Sequence, residues 1–207
     1  MESLAQLSAL TFGIQAFVTL LVILDPPGAT PIFLSLAGDR PQKQRVRMAW
    51  TGSIVSLIVI VTFALFGQLI LDYLHVSIEA LQGAGGLLLL LIALELLTGK
   101  ESNDASAVNG NVAMVPLGTP ILAGPGAIVT TMLFVQSAHT IQMKATLAIA
   151  IVLVHVIIAV TLIFSTKILG LIRPSGVTLL ARVIGLLLSA IAVEMIVASI
   201  KGFFNIA

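Results

Sequence analysis

Asp25 is a carboxylate in the middle of a long apolar stretch, and this position points to chemistry. No other charged residue occurs between positions 4 and 38. A carboxylate inside a bilayer costs roughly 2.5–3.5 kcal/mol on insertion scales, and such residues tend to face a cavity and bind a substrate or an ion. The alternative is a structural role, in which Asp25 caps a helix by accepting its free backbone N–H groups.

The residues after Asp25 interrupt any continuous helix. Three prolines lack a backbone donor, and Gly28 lets another group approach the chain closely. The ends of a broken helix expose unpaired N–H and C=O groups, and the N-terminal end suits the carboxylate of an amino acid. The first wall of a predicted substrate-binding site then consists of Asp25, Pro26, Gly28, Thr30 and Pro31. A kink that only serves helix packing is the alternative.

A second break repeats the first one later in the chain. The pattern Ile-Leu-x-x-Pro-Gly-Ala begins at Ile23 and again at Ile121. Paired interruptions of apolar segments are typical of transporters, whose binding sites lie between the two copies. The second wall of the predicted site then consists of Gly124, Pro125, Gly126 and Thr130. A threonine hydroxyl in a membrane helix often bonds its own backbone instead.

The two breaks differ in charge, because the position of Asp25 corresponds to Ala123 in the second break. The predicted site would therefore have one negative pole for a substrate ammonium group, while helix ends hold the substrate carboxylate. This arrangement suits a zwitterion. We expect the substitution Asp25→Asn to abolish transport without loss of folded protein.

Three further titratable residues lie in apolar segments, namely Glu95, Glu194 and His155. The two glutamates occupy equivalent places in a repeated motif, so with Asp25 they are candidates for a proton or ion path. We expect both near the ends of their spans, where solvation by interfacial water or helix pairing is the alternative. His155 is expected near the middle of its span, where it either pairs with a neighbouring helix or relays protons.

The composition indicates a protein whose solvent is a bilayer. Of 207 residues, 58% are hydrophobic and only 9% are charged, whereas a soluble domain has roughly 25% charged residues. The net charge of +1 and the scattered basic residues argue against a nucleic-acid partner, and the absence of cysteine excludes disulfides. Neither a His-Glu-x-x-His motif nor a Gly-x-Ser-x-Gly elbow occurs, so we expect no metal, no cofactor and no enzymatic activity.

Six membrane spans are predicted, since each needs about 20 mostly apolar residues. Four are uninterrupted and lie at 48–71, 80–98, 145–166 and 177–200. The first and fourth spans are overlong, contain the breaks, and lie within 4–38 and 112–138. Charged or polar loops are expected at 39–47, 72–79, 100–111 and 167–176. The expected fold is an all-α polytopic membrane protein with a single membrane domain.

The chain is predicted to contain two copies of a three-span unit, at about 1–99 and 112–207. The segment from Gly86 to Glu95 matches the segment from Gly185 to Glu194 with a shift of 99 residues, one more than the shift between the breaks. An odd number of spans per copy inserts the second copy from the opposite side, which gives an inverted repeat. Chance similarity of leucine-rich helices is the alternative, and the matched breaks favour duplication.

Basic residues predict the orientation of the spans. Most lysine and arginine residues follow the first, third and fifth spans, and only Lys144 and Lys201 lie on the other side. Because basic loops tend to stay in the cytoplasm, we expect a bacterial inner-membrane protein with both termini on the periplasmic side.

Residues 25–34 read Asp-Pro-Pro-Gly-Ala-Thr-Pro-Ile-Phe-Leu and resemble the first signature of the MarC family of integral membrane proteins. Residues 115–127 resemble the family's second signature and residues 182–188 resemble a third, so the resemblance covers essentially the whole chain. The resemblance implies six spans and, for some members, transport of neutral amino acids such as glycine, alanine, serine or threonine.

The breaks and the resemblance together predict a secondary transporter that imports or exports small neutral amino acids. H+ or Na+ would be its coupling ion, the lipid bilayer would surround it, and an oligomer is compatible with this function. The alternatives are a channel or an exporter for another small solute, and a membrane scaffold without transport.

Overall fold

The computed structural model describes residues 2–37, 40–99 and 123–205, and these residues form an all-helical membrane bundle. The described helices are α1 (Glu2–Leu24), α2 (Pro26–Ala37), α3 (Gln42–Leu74), α4 (Ile78–Thr98), α5 (Pro125–Ser137), α6 (Ile141–Ile163) and α7 (Ser165–Phe204). None of the described residues lies in a β-strand.

The first span is broken at Asp25, as predicted. The Asp25 N–H donates to the Leu21 carbonyl at 3.2 Å, and the Asp25 carbonyl accepts from Ala29 N at 2.9 Å. Asp25 thus closes α1 and opens α2, with a positive φ of 39° that few residues other than glycine adopt. Pro26 and Pro27 follow at the first helical positions, where a missing N–H costs nothing.

Among the described residues, five segments are long and apolar enough to cross a membrane, and they confirm a multi-pass integral membrane protein. These segments are Ser8–Leu34, Gln42–Leu74, Ile78–Thr98, Ile141–Ile163 and Thr178–Phe204. The predicted fourth span is represented by α5, which begins at Pro125 within the predicted break. The rest of that span and the predicted loop at 100–111 lie outside the described residues.

The prediction of a loop at 167–176 is wrong. Helix α7 continues without interruption from Ser165 to Phe204, so the turn-forming residues of this segment lie inside a helix. Pro174 and Gly176 disfavour a helix interior, proline by about 3 kcal/mol, so the surrounding structure outweighs the local preference of these residues.

Helices α4 and α7 pack against each other in antiparallel fashion through small residues. A Cβ added at Gly86 would lie 2.9 Å from the Ala192 carbonyl oxygen. A Cβ added at Gly185 would lie 3.0 Å from the Ala93 carbonyl oxygen. Gly185 lies 99 residues after Gly86, and Ala93 lies 99 residues before Ala192. The two contacts are therefore equivalent, and each helix presents the same surface to the other. Such reciprocity is the pattern of two elements related by a two-fold axis.

Candidate functional site

The carboxylate of Asp25 caps helix α2. Its Oδ1 atom accepts a hydrogen bond from Gly28 N at 3.0 Å, and the carboxylate occupies the space that a Cβ at Gly28 would need. The two prolines before Gly28 have no N–H group, and the N–H of Ala29 is bonded to the Asp25 carbonyl. The free N–H groups at the start of α2 are therefore bonded to Asp25 itself. This geometry agrees with the alternative in which Asp25 caps the helix.

The other predicted residues of the first break serve the helix itself. Thr30 is fully buried, and its hydroxyl donates to the Pro26 carbonyl at 2.9 Å. Pro26 is buried as well, and Pro31 lies half-buried in the interior of α2. The Thr30 hydroxyl thus takes the local backbone bond that competes with ligand binding.

The second break has no side-chain cap. Gly124 is the N-cap of α5, Pro125 follows at the first helical turn, and the Gly124 carbonyl accepts from Ala127 N at 3.0 Å. Gly126 is buried, and the side chain of Leu89 on α4 fills the space that a Cβ would need there. Glycine at this position therefore allows α4 to approach the break closely.

The two breaks share one buried hydrophobic cluster. Leu24 and Ala29 from the first break belong to it together with Ala123 and Ala127 from the second, and much of the remainder comes from α6. The described residues around the breaks therefore form a packed apolar core. The polar side chains that line a cavity lie elsewhere.

An open cavity of about 280 Å³, lined by both polar and apolar side chains, lies between α1, α4, α5 and α7. Its polar lining residues are Gln15, Thr19, Gln82, Thr130, Ser137 and Glu194. Its apolar lining residues are Leu133, Phe134, Ile191, Met195 and Ala198. Of the predicted site residues, only Thr130 and Glu194 line this cavity, so the structure brings these two together and leaves the other predicted residues out.

The cavity belongs to one half of the bundle. Contacts between helix ends show which ends lie on the same side of the bundle. One side, which we term the C-terminal face, contains the starts of α1, α4 and α6 and the ends of α3, α5 and α7. At 1.5 Å per residue, Glu194 lies about 15 Å along α7 from Phe204, and Thr19 about 16 Å along the span that starts at Ser8. The hydrocarbon core of a bilayer is about 30 Å thick, so the inner end of the cavity lies near mid-membrane.

The depth of Glu194 corrects the expectation that both glutamates lie near span ends. Glu95 is exposed in the last turn of α4, as expected. Glu194 lies almost three turns before the end of α7 and lines the cavity. The difference arises because α7 continues to Phe204, further than its apolar sequence predicts, whereas α4 ends at Thr98.

Among the described residues that line the cavity, Glu194 is the only charged side chain. No hydrogen bond or ion pair joins it to another residue within the described ranges. The hydroxyl of Thr130 lies 3.9 Å from Met195 Sδ, which is a weak acceptor that a ligand can replace. The cavity therefore combines one negative charge with amide and hydroxyl groups that can both donate and accept.

His155 is satisfied within the bundle, in agreement with the helix-pairing alternative. It is 3% exposed, with Nδ1 2.7 Å from the Ile151 carbonyl oxygen and Nε2 3.0 Å from Ser56 Oγ. A carbonyl oxygen only accepts, so Nδ1 carries the proton and Nε2 of the neutral ring accepts the Ser56 hydroxyl. His155 does not line the cavity.

Sequence reasoning missed Gln15, Thr19 and Ser137 as lining residues. Gln15 and Thr19 are four residues apart, on one face of α1, and polar residues on one face of an apolar helix are the signal that could have found them. Gln68 Oε1 on α3 accepts a hydrogen bond from Gln136 Nε2 on α5 at 2.8 Å, whereas Gln82 lines the cavity.

The described residues contain no group of three or more histidine, aspartate or glutamate side chains placed to hold a metal ion. The described lining residues likewise include one carboxylate and no histidine. This lining suits the binding of a small polar molecule.

Comparisons with known proteins point to one family of membrane proteins. The family model described as MarC family integral membrane protein matches residues 10–204. The chain is 38% identical to a UPF0056 membrane protein of Methanocaldococcus jannaschii, over 93% of this chain and 98% of that protein. It is 32% identical to the UPF0056 membrane protein YvbG of Bacillus subtilis, over 95% and 97% of the two chains. It is 30% identical to YhcE of Escherichia coli, over 91% of each chain. No solved structure matches it.

Proposed function

Since this chain belongs to the MarC family of integral membrane proteins, we propose that it is a secondary transporter of small neutral amino acids. The observation that carries this proposal is the partly polar cavity between α1, α4, α5 and α7, which reaches near mid-membrane and has a single carboxylate among its described lining residues. Its walls come from both halves of the chain, α1 and α4 from the first half and α5 and α7 from the second. Transporters of repeated architecture bind their substrates at such an interface.

The lining matches the three parts of a small neutral amino acid. Glu194 provides a negative charge for an ammonium group, and amide and hydroxyl donors such as Gln15 and Gln82 suit a carboxylate. Phe134 and Ile191 give an apolar wall for an aliphatic side chain. The volume of about 280 Å³ is just below the roughly 300–1,000 Å³ of pockets for drug-sized ligands, so a small solute fits best.

An architecture of six spans in two inverted repeats, with the first and fourth spans broken, is part of the proposal. The reciprocal contacts of Gly86 and Gly185 support it, because a two-fold axis generates contacts of this kind. The packing of the helices supports it as well: α5 packs against α4 and α3, and its counterpart α2 packs against α7 and α6. Rocking of one repeat against the other would then open the site to the two sides in turn.

The proposed orientation places the C-terminal face on the periplasmic side of a bacterial inner membrane, with both termini there. The basic residues at the start of α3 support this orientation, because they lie at the opposite face. The cavity then opens toward the periplasm, and a gradient of H+ or Na+ supplies the driving force.

Reconstituted vesicles test the proposal directly. We expect saturable uptake of labelled glycine, alanine, serine or threonine that changes when a proton or sodium gradient is imposed. Flux that rises linearly with concentration would indicate a channel, and the absence of flux for all small solutes tested would favour a scaffold.

Two tryptophan substitutions provide a matched pair for this assay. Ala198 lines the cavity, whereas its neighbour Val197 is 46% exposed on the lipid side of α7. Ala198→Trp should fill the cavity and lower uptake strongly, and Val197→Trp should leave uptake close to that of the unmodified protein. Equal uptake by both variants would place the transport path outside this cavity.

A further inference from the structure

We infer that Glu194 binds the ammonium group of the transported amino acid, so that the site selects substrates by their charged nitrogen. This inference rests on the proposed function and assigns the negative pole of the site to α7. Sequence reasoning had assigned that pole to Asp25.

Charge around the cavity is concentrated at one position. Glu194 is the only charged residue among the described lining side chains, which come from α1, α4, α5 and α7. Glu79 on α4 packs against Gly202 near the C-terminal face, and Lys201 lies in the last turn of α7, so neither lines the cavity. A cation that enters this space therefore meets one carboxylate.

The carboxylate of Asp25 is already hydrogen-bonded to the protein backbone. Its Oδ1 atom holds the Gly28 N–H group, and Asp25 lies about 9 Å beyond Thr19 along α1 at 1.5 Å per residue. Glu194 has no such bond to another residue in the described part of the chain. Its carboxylate thus keeps its full acceptor capacity for a ligand, and an ammonium group offers three donors to it.

Glu194 is an exposed side chain of the cavity wall. At mid-membrane depth an unpaired charged side chain is expensive, and such residues mark the paths of substrates and ions. A substrate ammonium would pair with this carboxylate, and the substrate carboxylate would accept hydrogen bonds from amide and hydroxyl groups of the lining. A zwitterion therefore satisfies the lining more completely than a simple amine or a simple acid does.

The inference predicts a sharp difference between L-alanine and L-lactate. The two molecules differ by the replacement of the ammonium group with a hydroxyl group. A site built around a charged or hydrogen-bonding group of its substrate rejects the analogue that lacks it, and we expect discrimination of at least about 100-fold.

The test uses three substitutions in vesicles that contain the full chain. Glu194→Gln keeps the shape of the side chain and removes its charge, so uptake of L-alanine should fall by at least about tenfold, the equivalent of 1.4 kcal/mol. Glu194→Asp keeps the charge and should retain part of the uptake. Glu79→Gln is the matched control at the C-terminal face and should transport L-alanine normally. Uptake by Glu194→Gln at the rate of the unmodified protein would overturn the inference.

A binding measurement separates this inference from the proposed function. A hydrophobic carbodiimide modifies carboxyl groups inside membrane proteins, and mass spectrometry of the solubilised protein reports the modification of Glu194. We expect L-alanine to protect Glu194 and L-lactate to leave it reactive. Protection without any transport would retain the ammonium site and reject the transporter, whereas transport without protection would reject the ammonium site alone. If L-alanine neither protects nor is transported, both proposals fall.

Discussion

Ser56 on α3 and His155 on α6 are joined by a buried hydrogen bond of 3.0 Å between Ser56 Oγ and His155 Nε2. Their positions differ by 99, the same shift that aligns Gly86 with Gly185. A residue can contact its own repeat counterpart only close to the axis that relates the two repeats. If the proposed repeats exist, their axis therefore passes between α3 and α6 as well as between α4 and α7.

The first prediction concerns this pair. Ser56→Ala would leave His155 Nε2 buried without its partner, and we expect a loss of about 1–2 kcal/mol in the free energy of unfolding. Ser53→Ala is the matched control on the same helix, because Ser53 Oγ is buried without a hydrogen-bond partner among the described residues. Its removal should be neutral or slightly stabilising. Thermal unfolding in detergent measures both, and equal effects would contradict a stabilising role of the pair.

The second prediction separates the charge of Asp25 from its capping oxygen. Asp25→Ala removes the acceptor for the Gly28 N–H, which should cost about 0.5–2 kcal/mol of stability. Asp25→Asn keeps that oxygen and tolerates the positive φ, so the folded protein should be nearly as stable as before. If Asp25 acts only as a cap, Asp25→Asn should also transport normally. Loss of transport in a stable Asp25→Asn protein would instead support the substrate or ion role that the sequence predicts.

The third prediction tests the reciprocity of α4 and α7. Gly86→Ala and Gly185→Ala each place a methyl group about 3 Å from a carbonyl oxygen of the other helix, so the helices must move apart. We expect each variant to lose about 1–3 kcal/mol, as overpacking does. Gly170→Ala is the control, because nothing lies within 4 Å of the added Cβ and alanine favours the helix. Thermal unfolding should show a similar loss of stability in the first two variants. A large difference between them would contradict the idea that Gly86 and Gly185 occupy equivalent positions.

The fourth prediction concerns orientation and the opening of the cavity. The chain has no cysteine, so single cysteines can be introduced without a background signal. Ser137→Cys lies at the C-terminal face on the cavity wall, and Gln44→Cys lies exposed in the first turn of α3 at the opposite face. In intact cells, a membrane-impermeant thiol reagent should label the first after it crosses the outer envelope and should label the second only after the inner membrane is opened. The reverse pattern would invert the proposed orientation.

Much of the helix layout could be predicted from the sequence because it depends on local properties. Proline lacks a backbone N–H wherever it occurs, so the breaks near Asp25 and Pro125 were recognisable without knowledge of their neighbours. The length and apolar character of a span are also local, and five predicted spans correspond to membrane-length helices. The prediction of a loop at 167–176 was wrong because the surrounding structure outweighs the local turn preference of these residues, and α7 runs through them.

The sequence by itself determined that the chain is a multi-pass membrane protein with two matched break motifs, and it named Thr130 and Glu194 among a larger set of candidates led by Asp25. Only the tertiary structure decided that these two residues line a cavity with Gln15 and Gln82, while Asp25 caps α2. The physical reason is that lipid and protein interior are both apolar, so the hydrophobic pattern of a membrane helix does not reveal which face packs inward. Close contacts between small residues that are distant in the chain, such as Gly86 and Ala192, bring α4 and α7 together. This packing places Glu194 beside the cavity.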